Sequence, residues 1–212
     1  MKTILFFTLN KDSGKINVLR CQLRFIEMQS PPEKPRLAWA VTGSGHYLEE
    51  CLDIIRDLDD VDLFYSRAGE EVIRMYGHDP KSVNGEGRTY HDRAASSPPV
   101  GLFYRGDYHT LVVAPATSNT VAKMVLGLSD TLVTNVYAQA GKCRIPSIIL
   151  ACDTEPEMDT PAPDRIVKVW PREVDLAHTH KLRSFEATTV VENPEKLLAA
   201  IKLRLNELES NG

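Results

Sequence analysis

The chain has 212 residues, enough for one sizeable core but short for two independent domains. Hydrophobic content of 42% and charged content of 25% are those of a globular protein. A net charge of −4 without a Lys/Arg stripe argues against a nucleic-acid partner, and no apolar run approaches the ~20 residues of a membrane span.

Residues 1 to 9 (MKTILFFTL) read as a strand or, superficially, as the start of a signal peptide. The apolar part is too short for the latter, and no small-residue cleavage site follows. Residues 29 to 35 (QSPPEKP) form a Pro-rich linker that can be neither helix nor central strand. Residues 1 to 35 are therefore expected to be an extension poorly tied to the core and open to disorder, with Met28 as an alternative first residue.

The core domain is expected over residues 36 to 212. Residues 36 to 41 (RLAWAV) make an apolar strand that runs into Thr42, Gly43, Ser44, Gly45 and His46. A helix follows, with Tyr47, Leu48, Cys51, Ile54, Ile55 and Leu58 on one side and Glu49, Glu50, Asp53 and Arg56 on the other. Strand, glycine turn and helix start form either a phosphate cradle, with Gly43 and Gly45 admitting the anion, or an ordinary tight turn. Residues 62 to 65 are a second strand ending at Ser66, placed to cap a helix over 67 to 76, to meet a phosphate, or both. Residues 78 to 99 are polar, without periodicity, and read as a functional or mobile loop. His78, His91 and Arg93 in it lack a metal-ligand spacing, and no metal is expected.

Residues 110 to 114 read as a buried parallel strand that must turn at Pro115, since proline cannot continue a ladder. The loop Ala116, Thr117, Ser118, Asn119, Thr120 then leads into a helix through Val121, Val125 and Leu128, with Ser118 or Asn119 as its N-cap. Strand, hydroxyl-rich loop and helix N-terminus suit an anion or cofactor site in an open α/β sheet. A helix over 133 to 140 and a strand over 145 to 151 follow, and the exit at Cys152 and Asp153 faces the same crevice. Residues 155 to 163 read as a flap or linker, and 166 to 170 as a strand. A helix is expected over 176 to 182, with Arg172 and Asp175 before it as a substrate-binding pair or a surface ion pair. Residues 188 to 191 are a last strand, and 194 to 208 an amphipathic helix capped by Asn193. The alternation predicts a doubly wound, mostly parallel, Rossmann-like or flavodoxin-like α/β domain. The four cysteines show no CxxC, and read as reduced thiols of a cytoplasmic protein.

The string APATSNTVAKMVLGLSDTLVTN, with TGSGH at residues 42 to 46, resembles the signature of a flavoprotein family. That family includes cysteine decarboxylases, phosphopantothenoylcysteine decarboxylase, flavin prenyltransferases and archaeal-type flavoproteins. Pro115, Ala116, Thr117, Ser118, Asn119, Thr120, Lys123, Gly127 and Asp130 fit at the family's spacing. The Pro-Ala-Met-Asn motif of the cysteine decarboxylases is absent after the 145 to 151 strand, as is the Arg-Glu-Thr-Pro-Leu of the prenyltransferases. His91 and His109 lie where the decarboxylases carry a catalytic histidine, but without its local context. The resemblance is nearest to archaeal-type flavoproteins and FMN-only dihydromethanopterin reductases.

It implies FMN bound by Thr42, Gly43, Ser44, Gly45, His46, Ser66 and residues 115 to 120, with Asn119 catalytic at the reacting edge. It also implies NAD(P)H as reductant, a dihydropterin as hydride acceptor, and a homo-oligomer built from trimers. An electron-transfer flavoprotein, a decarboxylase or prenyltransferase, and a non-catalytic flavin-binding module are the alternatives.

Overall fold

The computed structural model describes residues 4–9, 16–21, 34–94 and 97–210. The chain divides into two units, Met1–Pro31 and Pro32–Gly212. In the first, β1 (Ile4–Leu9) pairs antiparallel with β2 (Ile16–Cys21). Met28 and most of the linker lie outside the described residues, and so does most of what bears on how residues 1 to 35 are tied down.

The second unit runs β3 (Arg36–Val41), α1 (Leu48–Arg56), β4 (Val61–Tyr65), α2 (Arg67–Met75), β5 (Thr89–His91), α3 (Gly101–Arg105) and β6 (Tyr108–Ala116). It continues with α4 (Ser118–Val125), α5 (Leu132–Lys142), β7 (Ser147–Ala151), β8 (Met158–Pro161), β9 (Ile166–Val169), α6 (Glu173–Leu182), β10 (Thr188–Val191) and α7 (Pro194–Ser210). Six strands form one parallel sheet in the order β10-β7-β6-β3-β4-β5. The chain winds outward from β3 through β4 and β5, then returns to the other side of β3 and winds outward again. This is the doubly wound arrangement, with its topological switch between β3 and β6.

Period-two alternation decides which helices cover which face. Leu37, Trp39 and Val41 of β3 enter a core with Leu48, Cys51 and Ile55 of α1 and Leu197 and Ile201 of α7. Ala38 and Ala40 point the other way, into a core with Phe64, Phe103, Val121, Val136 and Leu182. The Trp39 indole N–H donates to the Ala114 carbonyl at 2.7 Å, so the largest buried side chain leaves no donor unpaired.

Three details differ from the sequence-based expectations. β6 does not end at Pro115 but continues to Ala116, pairing with Ala151 across a register irregularity between Val113 and Ala116. Residues 78 to 99, expected as one loop, contain β5, the outer strand of the sheet. Residues 158 to 161 and 166 to 169 pair with each other as a separate antiparallel hairpin.

The opposite end of the sheet from the switch-point loops is held by a buried carboxylate. Asp62 is fully buried. It accepts from Arg36 Nε at 2.9 Å, from the Arg88 N–H at 2.9 Å and Nε at 2.7 Å, and from the Tyr108 hydroxyl at 2.9 Å. The bonds join β3, β4, the segment before β5, and β6 at their starts. Asp62→Asn should lower stability by about 1.5–3 kcal/mol, the range for hydrogen bonds to a charged group. Tyr108→Phe should cost about 1 kcal/mol. Urea denaturation of the two variants checks both values.

Candidate functional site

The β3 and β6 loops are fastened together by one side chain. Thr42 is 1% exposed. Its hydroxyl donates to the Pro115 carbonyl at 2.7 Å and accepts from the Thr117 N–H at 2.9 Å. The Thr42 N–H also donates to the Pro115 carbonyl, at 3.3 Å. Thr117 in turn caps α4, its hydroxyl accepting from the Thr120 N–H at 3.3 Å. The cap is therefore Thr117, not Ser118 or Asn119 as expected. The reason is that Thr117 has the extended backbone of an N-cap, φ −63° and ψ 151°, whereas Ser118 is already helical. The Ser118 and Asn119 N–H groups remain without partners among the described residues, as at any helix start.

A cleft of about 420 Å³ opens over these loops. Ser44 and His46 line it from the β3 loop, Thr117 and Ser118 from α4, and Cys152 and Asp153 from the end of β7. Met158, Thr160, Val169 and Trp170 line it from the hairpin, and Arg172 and Asp175 from the start of α6. The Cys152 thiol donates to Ser44 Oγ at 3.2 Å, and burial pushes its pKa up to about 12, so it stays protonated and inert. Arg172 reaches Asp175 through Nε and Nη2, both at 2.8 Å, and this pair also caps α6.

His46 is the group in the cleft without a satisfied role. Both ring nitrogens are buried, and neither has a hydrogen-bond partner among the described residues. Burial holds the ring below the ordinary histidine pKa, against the opposing pull of Asp153 and Glu50. A neutral imidazole offers one donor and one acceptor. Leaving both buried and unmade is costly, which points to a ligand. The donors around it suit an anion joined to a polar ring: hydroxyls, free helix N–H groups and this imidazole.

The other expected residues divide clearly. Ser66 is a helix cap, accepting from the Gly69 N–H at 2.9 Å. The spaces beside Gly43 and Gly45 are filled by α2 and its C-terminal cap: an added Cβ would lie 2.5 Å from Ala68 Cβ and 1.9 Å from Tyr76 Oη respectively. Pro115 and Ala116 belong to the strand, and Thr120 is buried with its hydroxyl 3.0 Å from that of Thr117. The Asn119 side chain is exposed, makes no hydrogen bond among the described residues and lies outside the cleft lining. His91 pairs with Glu70 at 2.9 Å, and His109 lies at the start of β6, away from the cleft. The hairpin lining was not singled out beforehand. Its only sequence signal is alternation, with Met158, Thr160, Val167 and Val169 on the half-buried side.

Residues 26–208 match the family model described as Flavoprotein. The chain belongs to the Flavoprotein family. A dihydromethanopterin reductase (acceptor) of Methanosarcina mazei is 41% identical over 133 residues, 57% of this chain and 56% of the relative. Its counterpart in Methanocaldococcus jannaschii is 39% identical over 131 residues, 56% of this chain and 53% of the relative. The chain thus spans about half the length of these two curated relatives. Burkholderia xenovorans DmrB in complex with FMN, described as a cubic protein cage for redox transfer, superposes with a TM-score of 0.78. It shares 47% identity, over 84% of this chain and 98% of DmrB. Among the described residues no helix is long and apolar enough to cross a membrane.

Two outcomes follow from the geometry. Thr42→Val strips the Pro115 carbonyl and Thr117 N–H of their shared partner and should cost about 1–3 kcal/mol, while Thr42→Ser should keep most of it. Thermal melts of the pair check this. The second concerns His109, whose pKa is driven from 6.5 to about 4 by burial first, then by Arg204 and Lys34. Between these values the unfolded chain binds a proton that the folded chain refuses, so His109 makes stability fall as pH drops from 6.5 towards 4. His46 acts in the same direction. Urea midpoints at neutral pH and near the lower value should differ less in His109→Gln than in the wild type.

Proposed function

We propose that the protein is an FMN-dependent oxidoreductase that reduces a dihydropterin, drawing electrons from NAD(P)H. The observation that carries this reading is the buried, unpartnered imidazole of His46 in the cleft that Thr117 and Ser118 also line at the start of α4. It gains support from the 47% identity to FMN-bound DmrB and from the two curated dihydromethanopterin reductases.

Ser44, Thr117, Ser118 and the first N–H groups of α4 would hold the phosphate end. His46 would meet a polar ring edge, donating through one nitrogen and accepting through the other. When bound, FMN supplies the two-electron chemistry, and the protein supplies position and exclusion of water. Arg172 bonds Asp175 through Nε and Nη2, and its Nη1, without a partner among the described residues, would offer an N–H to a carbonyl or anionic group of the substrate. The 158–169 hairpin covers the cleft, so small displacements of the substrate are resisted and the reacting atoms stay aligned.

Asn119 is assigned to the reacting edge. Its exposed amide has no structural duty in one subunit, which suits a group that meets the ligand or a neighbouring copy. The assembly is a homo-oligomer built from trimers. Ile166, Trp170 and Val174 are 67%, 66% and 48% exposed on or beside β9 and at the start of α6, elements that line the cleft, and these apolar side chains suit cover by another subunit.

Reconstituted protein should retain FMN and not FAD, and under anaerobic mixing NADH or NADPH should bleach the flavin and a dihydropterin should restore its colour. Retention of FAD, or no flavin at all, overturns the cofactor assignment. Bleached flavin that dihydropterin leaves bleached, while a ferredoxin-like acceptor restores it, would instead establish an electron-transfer protein. Asn119→Ala should slow reoxidation by dihydropterin at least about ten-fold, an orientation effect, while leaving the melting temperature unchanged because Thr117 is the cap.

A further inference from the structure

The hairpin over the cleft is nearly self-contained. The antiparallel β8–β9 ladder, the turn in which the Ala162 N–H donates to the Arg165 carbonyl at 2.7 Å, the Lys168–Glu157 ion pair and the Trp170 Nε1 bond to Glu157 at 3.3 Å all stay within it or at its base. Among the described residues, one hydrogen bond ties the end of β8 to the rest of the domain, at the C-terminal cap of α2. The Tyr76 hydroxyl donates to the Pro161 carbonyl at 3.0 Å, across 85 positions of sequence.

Tyr76 is placed for this by its position at the C-terminal cap of α2. Its ring lies against Gly45: a Cβ there would sit 1.9 Å from Tyr76 Oη and 2.5 Å from Cζ. Any other residue at 45 would displace the phenol, so the glycine between Ser44 and His46 makes room for a side chain as well as for a turn. One end of the contact is thus the loop that carries two cleft residues. The other is the strand end next to Thr160, which lines the cleft from above. Burial, with a further contribution from Glu49, keeps the phenol protonated and hence a donor.

We propose that Tyr76 is a positioning residue that latches the 158–169 hairpin over the cleft, so that breaking its bond to Pro161 opens the path by which the bound cofactor leaves. The latch couples the hairpin to the turn beneath it. A ligand held by Ser44 and His46 is then covered while the phenol rests on Gly45, and uncovered when it swings away. This rests on the FMN reading above for the identity of the ligand, but the hinge of the hairpin can be read without it.

Tyr76→Phe removes one oxygen and keeps the ring on Gly45, so the fold is retained. Two measurements on the full chain are needed. The first is the rate of trypsin cleavage at Arg165 and Lys168 in flavin-free protein, followed by mass spectrometry; cleavage tracks the population of the opened form. The second is the rate of FMN release from loaded protein into excess apoflavodoxin, followed by fluorescence. Both rates should rise about five-fold, the factor that corresponds to one hydrogen bond of about 1 kcal/mol. Unchanged cleavage overturns the latch, whatever the flavin does. Faster cleavage with unchanged FMN release overturns its control of cofactor exit. If wild-type protein holds no FMN, the cofactor reading has failed, and the protease rates alone decide whether Tyr76 holds the hairpin.

Discussion

The site depends on the doubly engaged hydroxyl of Thr42. A parallel sheet leaves its C-terminal strand ends as separate loops, and each loop can relax away from its neighbour unless something crosses the gap. Thr42 crosses it by donating to Pro115 and accepting from Thr117, residues on the loop that leads into α4. Because Thr117 is itself the cap of α4, the helix start is registered against β3 and not only against β6. The free N–H groups of Ser118 and Asn119 therefore have a fixed position relative to His46. An anion site made of groups from two loops needs that fixity, since donors that wander lose most of their value in binding.

This separates two kinds of residue that look alike in the sequence. Thr42, Thr117 and Thr120 all bond to the protein through their hydroxyls, yet Thr42 and Thr120 are buried, whereas Thr117, with Ser118, also lines the cleft. The polarity of the string ATSNT makes the loop a candidate binding element. It could not show that the Thr42 hydroxyl is already occupied, because the Pro115 carbonyl and Thr117 N–H that engage it lie 73 and 75 residues away. Ser66 is a similar case, its hydroxyl taken up by the start of α2. His46 is the converse: it was one ligand candidate among several, and what sets it apart is the lack of any partner in the folded chain, a property of three elements together.

Local pattern accounts for the rest of what the sequence disclosed. β3, β10, α2 and α7 were legible within a residue or two at most of their boundaries, because each has an apolar period, a cap or a stop of its own. β5 has three residues, all half-buried, and α3 has five, so neither is long enough to show a period. The hairpin over the cleft was read as a flap and an isolated strand because its pairing partner, not its composition, makes it a unit. The passage of β6 through Pro115 was hidden for the same reason. The ladder is broken there, and the strand is recovered only by Ala116 meeting Ala151.

The two ends of the sheet show opposite treatment of buried polar groups. At the strand starts, Asp62 and Asp107 are almost wholly buried and are met by Arg36, Arg88, Arg105 and Tyr108. Arg105 and Arg88 hold Asp107 below the usual carboxylate range despite its burial. Nothing there asks for a further partner. At the strand ends the imidazole of His46 is buried with neither nitrogen bonded among the described residues, in a cleft that the start of α4 also lines. A folded chain tolerates such a deficit where a ligand removes it, and stability gained at the satisfied end offsets the cost of holding the other end ready. The same logic explains why the covering hairpin is attached by few bonds: a cleft that must load and release a ligand cannot be closed by contacts as dense as those around Asp62.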